Sequence, residues 1–521
     1  MSAKQRTVLV IAVSLGLGLG AQILRAAPFE RVYGDTPNLE QALKGAAPVQ
    51  SCPGGGYVSV GFTRHQGART DLDVYAVRVQ ESGVQAWART FDINGAQGDD
   101  IGTSLREVTV QPQGGFILTG TTIAPGHFDR DLILLRLDCA GNLIWGRILR
   151  TAADLTATPT DDEARDVIET RTGTQAGDFV IAGSSRRVVT PSGTDLDGYL
   201  VRTDPNGAVR WSQLYFDAMA GGNPHSSEWF NAVTETQPGA TPGPGLGDLL
   251  AVGAQEGQYG TWRDGLALRT SGLNGYFTSP LHTMAVRNLP TGGLAVRTTE
   301  LWGIRELQQA GPEHLNLVMV GTNAAYLGAG EGFAVKTGPN LNLVLAERLI
   351  GDGLAGLGEE GLTDVVEIES PSAYATPGQL AVTGFAQSGP NLDLVLLALD
   401  TGTLLPIPGT GRLMGDHNVG EERGTALAQV LANSVIGRTA GFYLNGFNRS
   451  DPAGVGDPED MYLVKTNGSG FTPCATDWAP GASQPENCDC YPLGQSADPG
   501  TVSLPCGSLA PISNWGTELC R

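Results

Sequence analysis

The chain runs to 521 residues, with 73 glycines, 31 prolines and a formal charge of −21. Glycine and proline at that level point to many short strands and tight turns instead of long helices, and the lack of a three-residue glycine period excludes collagen. So acidic a balance excludes nucleic acid and anionic lipid as partners, because both are bound through clustered Lys and Arg; it favours solubility and suits cations.

At the N-terminus, Lys4 and Arg6 precede an apolar stretch over 8–24 and the small residues Ala26 and Ala27. This is the form of a secretory signal peptide over residues 1–26. A membrane anchor is the competing reading, since the stretch is near the lower limit of a spanning helix; its glycines, its position and its small-residue exit favour cleavage. No cysteine follows it, so no lipid anchor is expected. Loss of Lys4, Arg6 and Arg25 takes the charge to −24. The expected location is extracytoplasmic, in a periplasm, on an outer surface or outside the cell, with no stable membrane span after cleavage.

Beyond this segment a short apolar run closes on a glycine at Gly61 (GYVSVG), Gly120 (GFILTG), Gly183 (DFVIAG), Gly253 (DLLAVG), Gly321 (NLVMVG), Gly384 (QLAVTG) and Gly446 (FYLNG), at spacings of 59 to 70 residues. One β-type signature per period means stacked copies of a module that cannot bury its own apolar face. Radial stacking predicts an all-β fold, a seven-bladed β-propeller of four-stranded blades over residues 29–470.

In chain order, residues 29–33 (FERVY) match 87–91 (WARTF) and read as an orphan fourth strand. Paired with the third strand at 461–466 (MYLVKT), this N-terminal strand is expected to close the ring and remove two exposed edges. First strands begin at Leu39, Ile101, Glu163, Trp229, Leu301, Gly361 and Arg423. The turns into the fourth strands, at 80–84, 138–142 and 204–208, contain Gly83, Gly141 and Gly207, which supply the positive φ of a tight hairpin. Trp87, Trp145 and Trp211 follow at one register and read as packing between neighbouring blades. The fourth strands near 276–284 and 403–413 contain Pro280, Pro406 and Pro408, and are expected to be short or irregular.

The last segment, 471–521, holds Cys474, Cys488, Cys490, Cys506 and Cys520; Cys52 and Cys139 lie in the repeats, for a total of 7. In an exported chain this reads as a small disulfide-stapled, Cys-rich C-terminal appendage, and the odd count leaves one thiol free or paired with another chain. Zinc is disfavoured in the tail, which has no CxxC pair and no histidine after His417.

These repeats resemble those of bacterial secreted β-propeller proteins, whose units run through a GGYIIAG-type strand into a DxDxxxxKxDxxGNxxW-type hairpin. The resemblance covers about residues 29 to 470 and is closest in the first three units. It implies a fold and an export route, and no catalytic residue carries over from it. Pyrroloquinoline-quinone dehydrogenases share a turn like Leu137–Gly141 with Trp145, but their eight blades and vicinal cysteines are not matched.

Two sets of acidic residues recur in register. Asp100, Asp162, Glu228, Glu360 and Glu422 precede first strands, with Asn38 and the pair Thr299 and Glu300 in the remaining places. Asp71 and Asp73, Asp129 and Asp131, Asp195 and Asp197, then Asp264, Asp393, and Glu459 with Asp460, precede third strands. Carboxylates at a strand entry accept backbone N–H groups, which is the structural reading of both sets. Calcium, which takes six to eight oxygen ligands, is the sharper reading for Asp71, Asp73, Asp129, Asp131, Asp195 and Asp197, although none continues into an EF-hand loop.

The histidines, His65, His127, His225, His282, His314 and His417, are scattered without an HExxH motif and read as loop residues. No GxSxG elbow occurs, and the glycine cluster 328–332 leads into a strand, without the helix dipole that a phosphate site needs. The functional expectation is a secreted or cell-envelope binding scaffold without enzymatic activity, recognising a protein or glycan partner at the cell surface. The alternatives are an extracellular carbohydrate-active or metal-dependent enzyme with acids at the propeller axis, and a subunit of a surface filament or secretion assembly. Two carboxylates with one Arg or Tyr against an apolar wall at the axis would favour the enzyme.

Overall fold

The computed structural model describes residues 27–505 with interruptions, the longer of them at 152–160, 217–226, 237–246, 287–296, 352–358, 450–459 and 484–493. The signal segment and Cys474, Cys488, Cys490, Cys506 and Cys520 lie outside the described residues. Those described form strands and turns without an α-helix, and none of them belongs to a helix long and apolar enough to cross a membrane.

After β1 (Phe29–Tyr33) come β2 (Glu40–Pro48), β3 (Tyr57–Arg64), β4 (Leu72–Val79) and β5 (Gln85–Phe91), an antiparallel meander paired in chain order. The pattern recurs in β6 (Ile101–Glu107), β7 (Phe116–Ile123), β8 (Arg130–Leu137) and β9 (Leu143–Thr151), and in β10 (Asp162–Glu169), β11 (Phe179–Thr190), β12 (Gly193–Thr203) and β13 (Val209–Phe216). It continues through β14 (Glu228–Glu235), β15 (Leu249–Glu256), β16 (Arg263–Thr270) and β17 (Thr283–Val286), then β18 (Arg297–Glu306), β19 (Leu317–Ala325), β20 (Gly330–Thr337) and β21 (Val344–Gly351). Next come β22 (Glu360–Glu367), β23 (Leu380–Ser388), β24 (Asn391–Leu399) and β25 (Gly411–Met414), followed by β26 (Glu421–Val430), β27 (Gly441–Arg449) and β28 (Asp460–Lys465). The tail adds β29 (Thr476–Trp478), β30 (Gly481–Ser483), β31 (Gly494–Ala497) and β32 (Thr501–Pro505).

The second and third strands are apolar on both faces because each sheet is sandwiched between two others. Val58 and Val60 of β3 pack with Leu105, Phe116 and Leu118 of the next meander. Tyr57 and Val77, on the opposite face, pack with Phe29, Tyr443 and Leu463. First strands lie against the preceding meander, and β2 lies against β26, β27 and β28. The result is a propeller-like β fold. β17 and β25 are four residues each, as the prolines beside them require.

Polar ties join neighbouring meanders at matching places. Glu107, at the end of β6, accepts Gln50 N at 2.8 Å and Ser51 N at 2.7 Å from the turn before β3; Glu169 does the same for Thr109 N at 2.7 Å and Glu235 for Arg171 N at 2.6 Å. A buried disulfide joins Cys52 to Cys139 across a separation of 87 residues. Trp87 packs under the next turn, where a Cβ on Gly141 would sit 2.9 Å from its ring; Trp211 stands in the same relation to Gly275, at 2.7 Å. The tryptophans thus serve packing between sheets.

The expected seven-bladed propeller of four-stranded blades, closed by the N-terminal strand and carrying a small Cys-rich C-terminal appendage, is overturned by the hydrogen bonding. The described strands form one sheet of nine strands, three of five and two of four. In the nine-stranded sheet a parallel bridge from Leu392 to Glu421 fuses the β22–β25 meander to β26–β28. The N-terminal strand β1 does pair with β28, Arg31 opposite Leu463, but as the edge of this fused sheet. The tail strands do not pair with one another; β29, β30, β31 and β32 join the outer strands β25, β21, β13 and β9. An outer strand offers a full row of unmet N–H and C=O groups, a better partner for a short segment than another short segment.

Arg438, between β26 and β27, reaches into the first meander. Its Nε donates to Glu81 Oε1 at 2.7 Å and its Nη2 to the Val49 carbonyl at 2.6 Å, with Arg438 5% and Glu81 8% exposed at the side chain. Glu81 also accepts Gly56 N at 2.7 Å and the Tyr57 hydroxyl at 2.8 Å. Arg438→Met strands a buried carboxylate and is expected to cost about 3–5 kcal/mol. Glu81→Gln in the same chain should recover most of that loss, as read from urea unfolding midpoints.

Candidate functional site

The repeated glycines are not strand ends. Gly61 lies inside β3 opposite Ala42, Gly120 faces Gly102, Gly183 faces Ala164 and Gly253 faces Phe230. Gly321, Gly384 and Gly446 face Leu301, Leu362 and Gly424. In each case the pairing register slips immediately after that partner, so every first strand carries a bulge there. A Cβ on Gly61 would lie 1.6 Å from the Gln41 carbonyl oxygen, and one on Gly321 would lie 1.9 Å from that of Glu300. Only glycine admits so close an approach.

The bulge turns one residue of each first strand inward. Lys44, Thr103, Arg165, Asn231, Trp302, Thr363 and Thr425, from seven different strands, line a single cavity of about 930 Å³. Second strands add Thr322, Phe385 and Phe447, and Glu359, Glu360 and Arg423 complete one wall. A cavity of this size accepts a small organic ligand.

Lys44 ties the cavity together. Its ammonium donates to the carbonyls of Trp302 at 2.6 Å and Asn231 at 2.9 Å, and faces Asp166 at 3.8 Å. Burial pushes its pKa down, while Asp166 and Asp364 pull it back up. Asp364, which accepts Leu427 N at 2.9 Å, is raised by burial against the lowering effect of Lys44.

Two arginines stand over rings in the wall. Arg165 lies 5.8 Å from the Trp229 centroid, donates to Asn231 Oδ1 at 2.7 Å and pairs with Glu163 at 3.4 Å. Arg423 lies 4.5 Å from the Phe385 centroid and pairs with Glu421 at 2.6 Å and Glu359 at 3.3 Å. Each guanidinium is thus held by a carboxylate, although Glu163 is shared with Arg130 and Glu421 with Arg449.

The two acidic sets fall beside the bulges. Asp100, Asp162, Glu228, Glu360 and Glu422 sit at the entries of first strands, and Asp73, Asp131, Asp197, Asp264 and Asp393 at one register of the third strands; all are buried. The place given to Asn38 belongs to Glu40, opposite Thr63, and Asn38 and Glu459 lie outside the described residues, as does the side chain of Asp195. Asp71 is half-buried and Asp129 buried, each two residues before its partner. Asp100 accepts Ile93 N at 2.6 Å and the Thr122 hydroxyl. Of the calcium candidates, Asp73 alone joins a convergent group among the described residues: oxygens of Asp73, Asp92 and Asp100 lie within 4.8 Å of one another. His65, His127, His225, His282 and His417 lie outside the described residues, and His314 is half-buried in the turn before β19.

The bulge residues were not singled out by sequence reasoning. Three of them are threonine and the other four differ, so no single residue type marks the position across the repeats.

Burial holds the Asp100 carboxyl well above the ordinary range; its hydrogen bonds from Thr122 and Ile93 oppose this, and the charges of Asp73 and Asp92 add to it. A pKa raised on folding stabilises the protein below the unfolded value of about 3.9 and is lost as pH rises through the folded one. Melting temperature should therefore fall more steeply with rising pH in the parent than in Asp100→Asn. A cation seated on the three carboxylates would flatten the parent's curve, and EDTA would restore its slope.

No family model and no curated protein matches the chain. Among solved structures it is similar to Sqt1 from Chaetomium thermophilum, at 11% identity and a TM-score of 0.38 over 84% of this chain and 100% of that one. The same protein bound to the N-terminus of the ribosomal protein L10 matches at 9% identity and a TM-score of 0.37, over 82% and 97%. A subtype N11 neuraminidase-like protein of A/flat-faced bat/Peru/033/2010 matches at 10% and 0.35, over 87% and 97%. No residue role is transferred at these scores.

Proposed function

We propose that the protein is an extracytoplasmic binding scaffold whose ligand enters the axial cavity. The observation that carries this reading is the inequality of the bulge residues. A purely structural ring would repeat one residue type, whereas Lys44, Arg165, Asn231 and Trp302 stand among three threonines, Thr103, Thr363 and Thr425, around one space. Rigid frames that hold dissimilar polar groups around an apolar wall are suited to recognition. The signal-like N-terminus and the Cys52–Cys139 disulfide support a location outside the reducing cytoplasm.

A hydrolytic role is the second reading, because Glu359, Glu360 and Arg423 share a wall with Phe385. Against it, Glu359 is engaged by Arg423 at 3.3 Å, which makes it a holder of the guanidinium. Ala324 lines the cavity, so Ala324→Trp should obstruct part of the space without disturbing the bulges. A small-fragment library screened by thermal shift is expected to give hits on the parent that vanish in Ala324→Trp. Hits that persist unchanged in the variant would place the binding surface elsewhere.

A further inference from the structure

We infer that the axial cavity takes a neutral saccharide, an inference that rests on the binding reading above. Three hydroxyl protons of the wall are already committed to backbone carbonyls. The Thr363 hydroxyl donates to the Gly424 carbonyl at 2.8 Å, that of Thr425 to Leu43 at 3.0 Å and that of Thr103 to Thr119 at 3.3 Å. A hydroxyl has one proton, so each of these oxygens meets a ligand only as an acceptor. The ligand must bring donors, which carboxylates and fully ionised phosphate groups do not have.

The cations of the wall lead to the same class. Arg165 and Arg423 are held by Glu163, Glu421 and Glu359, with Glu163 shared with Arg130 and Glu421 with Arg449, and Lys44 is spent on two carbonyls and Asp166. An anion would have to break these pairs to bind, and the chain's charge of −21 opposes its approach. A cationic ligand would be set beside Lys44, Arg165 and Arg423, and of the wall's carboxylates Glu359 is already held by Arg423. A neutral molecule disturbs none of these pairs.

The wall also carries aromatic rings. Trp302, Phe385 and Phe447 stand on the side of the cavity formed by β18, β23 and β27. The ring faces of Trp302 and Phe447, that of Phe385 being covered by Arg423, suit the C–H faces of a pyranose, while the threonine oxygens accept from its hydroxyls. A neutral molecule with hydroxyl donors and an apolar face meets these demands together.

The test is isothermal titration of the full chain, near physiological salt, with cellotriose, maltotriose and tri-N-acetylchitotriose as neutral probes, trigalacturonate as the anion and the deacetylated chitosan trimer as the cation. At least one neutral trisaccharide is expected to bind, to lose about tenfold in affinity in Trp302→Ala, and to keep most of it in Trp302→Phe. Thr363→Val, which keeps shape and removes the acceptor, should weaken binding without changing the melting temperature by more than the loss of its hydrogen bond to Gly424. Trp302-dependent binding of the charged trimers alone would overturn the neutral-saccharide inference and leave the cavity as a binding site. Silence from every saccharide, with the cavity-dependent fragment hits intact, would do the same. Saccharide binding unaffected by Trp302→Ala and Thr363→Val would overturn it by placing the saccharide outside the cavity.

Discussion

In each repeat a backbone carbonyl of the first strand occupies the space that a side chain on the facing second strand would need, and the rest of the structure follows from that approach. Gly61, Gly183 and Gly253 would each put a Cβ within 1.8 Å or less of such an oxygen. The approach is what lets the first strand bulge, and the bulge turns one side chain towards the axis and leaves backbone carbonyls open to partners from other strands. Those carbonyls are met at once: Leu43 accepts from Thr425 and Asn445, Asn231 and Trp302 accept from Lys44, and Gly424 accepts from Thr363. A constraint on one pair of strands therefore becomes a set of bonds across the whole axis.

Away from the axis, charge holds the sheets in register. Arg78 donates to the Cys139 carbonyl at 2.8 Å, Arg202 to Gly272 at 2.5 Å, Arg269 to Pro339 at 2.6 Å and Lys336 to Gly402 at 2.8 Å, each reaching the next meander's turn. Arg202 and Arg269 carry their own counter-ions, Asp178 at 2.8 Å and Asp248 at 3.0 Å. Buried pairs of this kind contribute little net stability but make a wrong neighbour costly, because a misplaced sheet would strand a charge. Apolar packing supplies the bulk of the cohesion, and the cations fix which faces meet.

The all-β class, the repeat period, the tight turns and the inter-sheet tryptophans were legible because each depends on local chemistry: a glycine where φ is positive, an aromatic at a fixed place after it. Gly83, Gly141 and Gly207 have φ of 76°, 78° and 81°. The sheet count was not legible, since the bridge from Leu392 to Glu421 and the attachment of the tail to outer edges depend on which edge is nearest in space. The cavity was hidden for another reason. A search for repeats rewards positions that agree, whereas the residues facing the axis are three threonines among Lys44, Arg165, Asn231 and Trp302. The acidic sets stood in between: their periodicity was visible, but only the three-dimensional fold shows Asp92 joining Asp73 and Asp100, because Asp92 belongs to neither set.

The carbonyl-for-side-chain approach is tested most directly by the melting temperature of Gly321→Ala beside Gly338→Ala. A Cβ at Gly338 would meet nothing nearer than 3.8 Å, against 1.9 Å at Gly321. The account predicts that Gly338→Ala melts with the parent while Gly321→Ala loses several degrees or fails to fold, as overpacking against a fixed backbone requires. Equal melting temperatures for the two variants would contradict it.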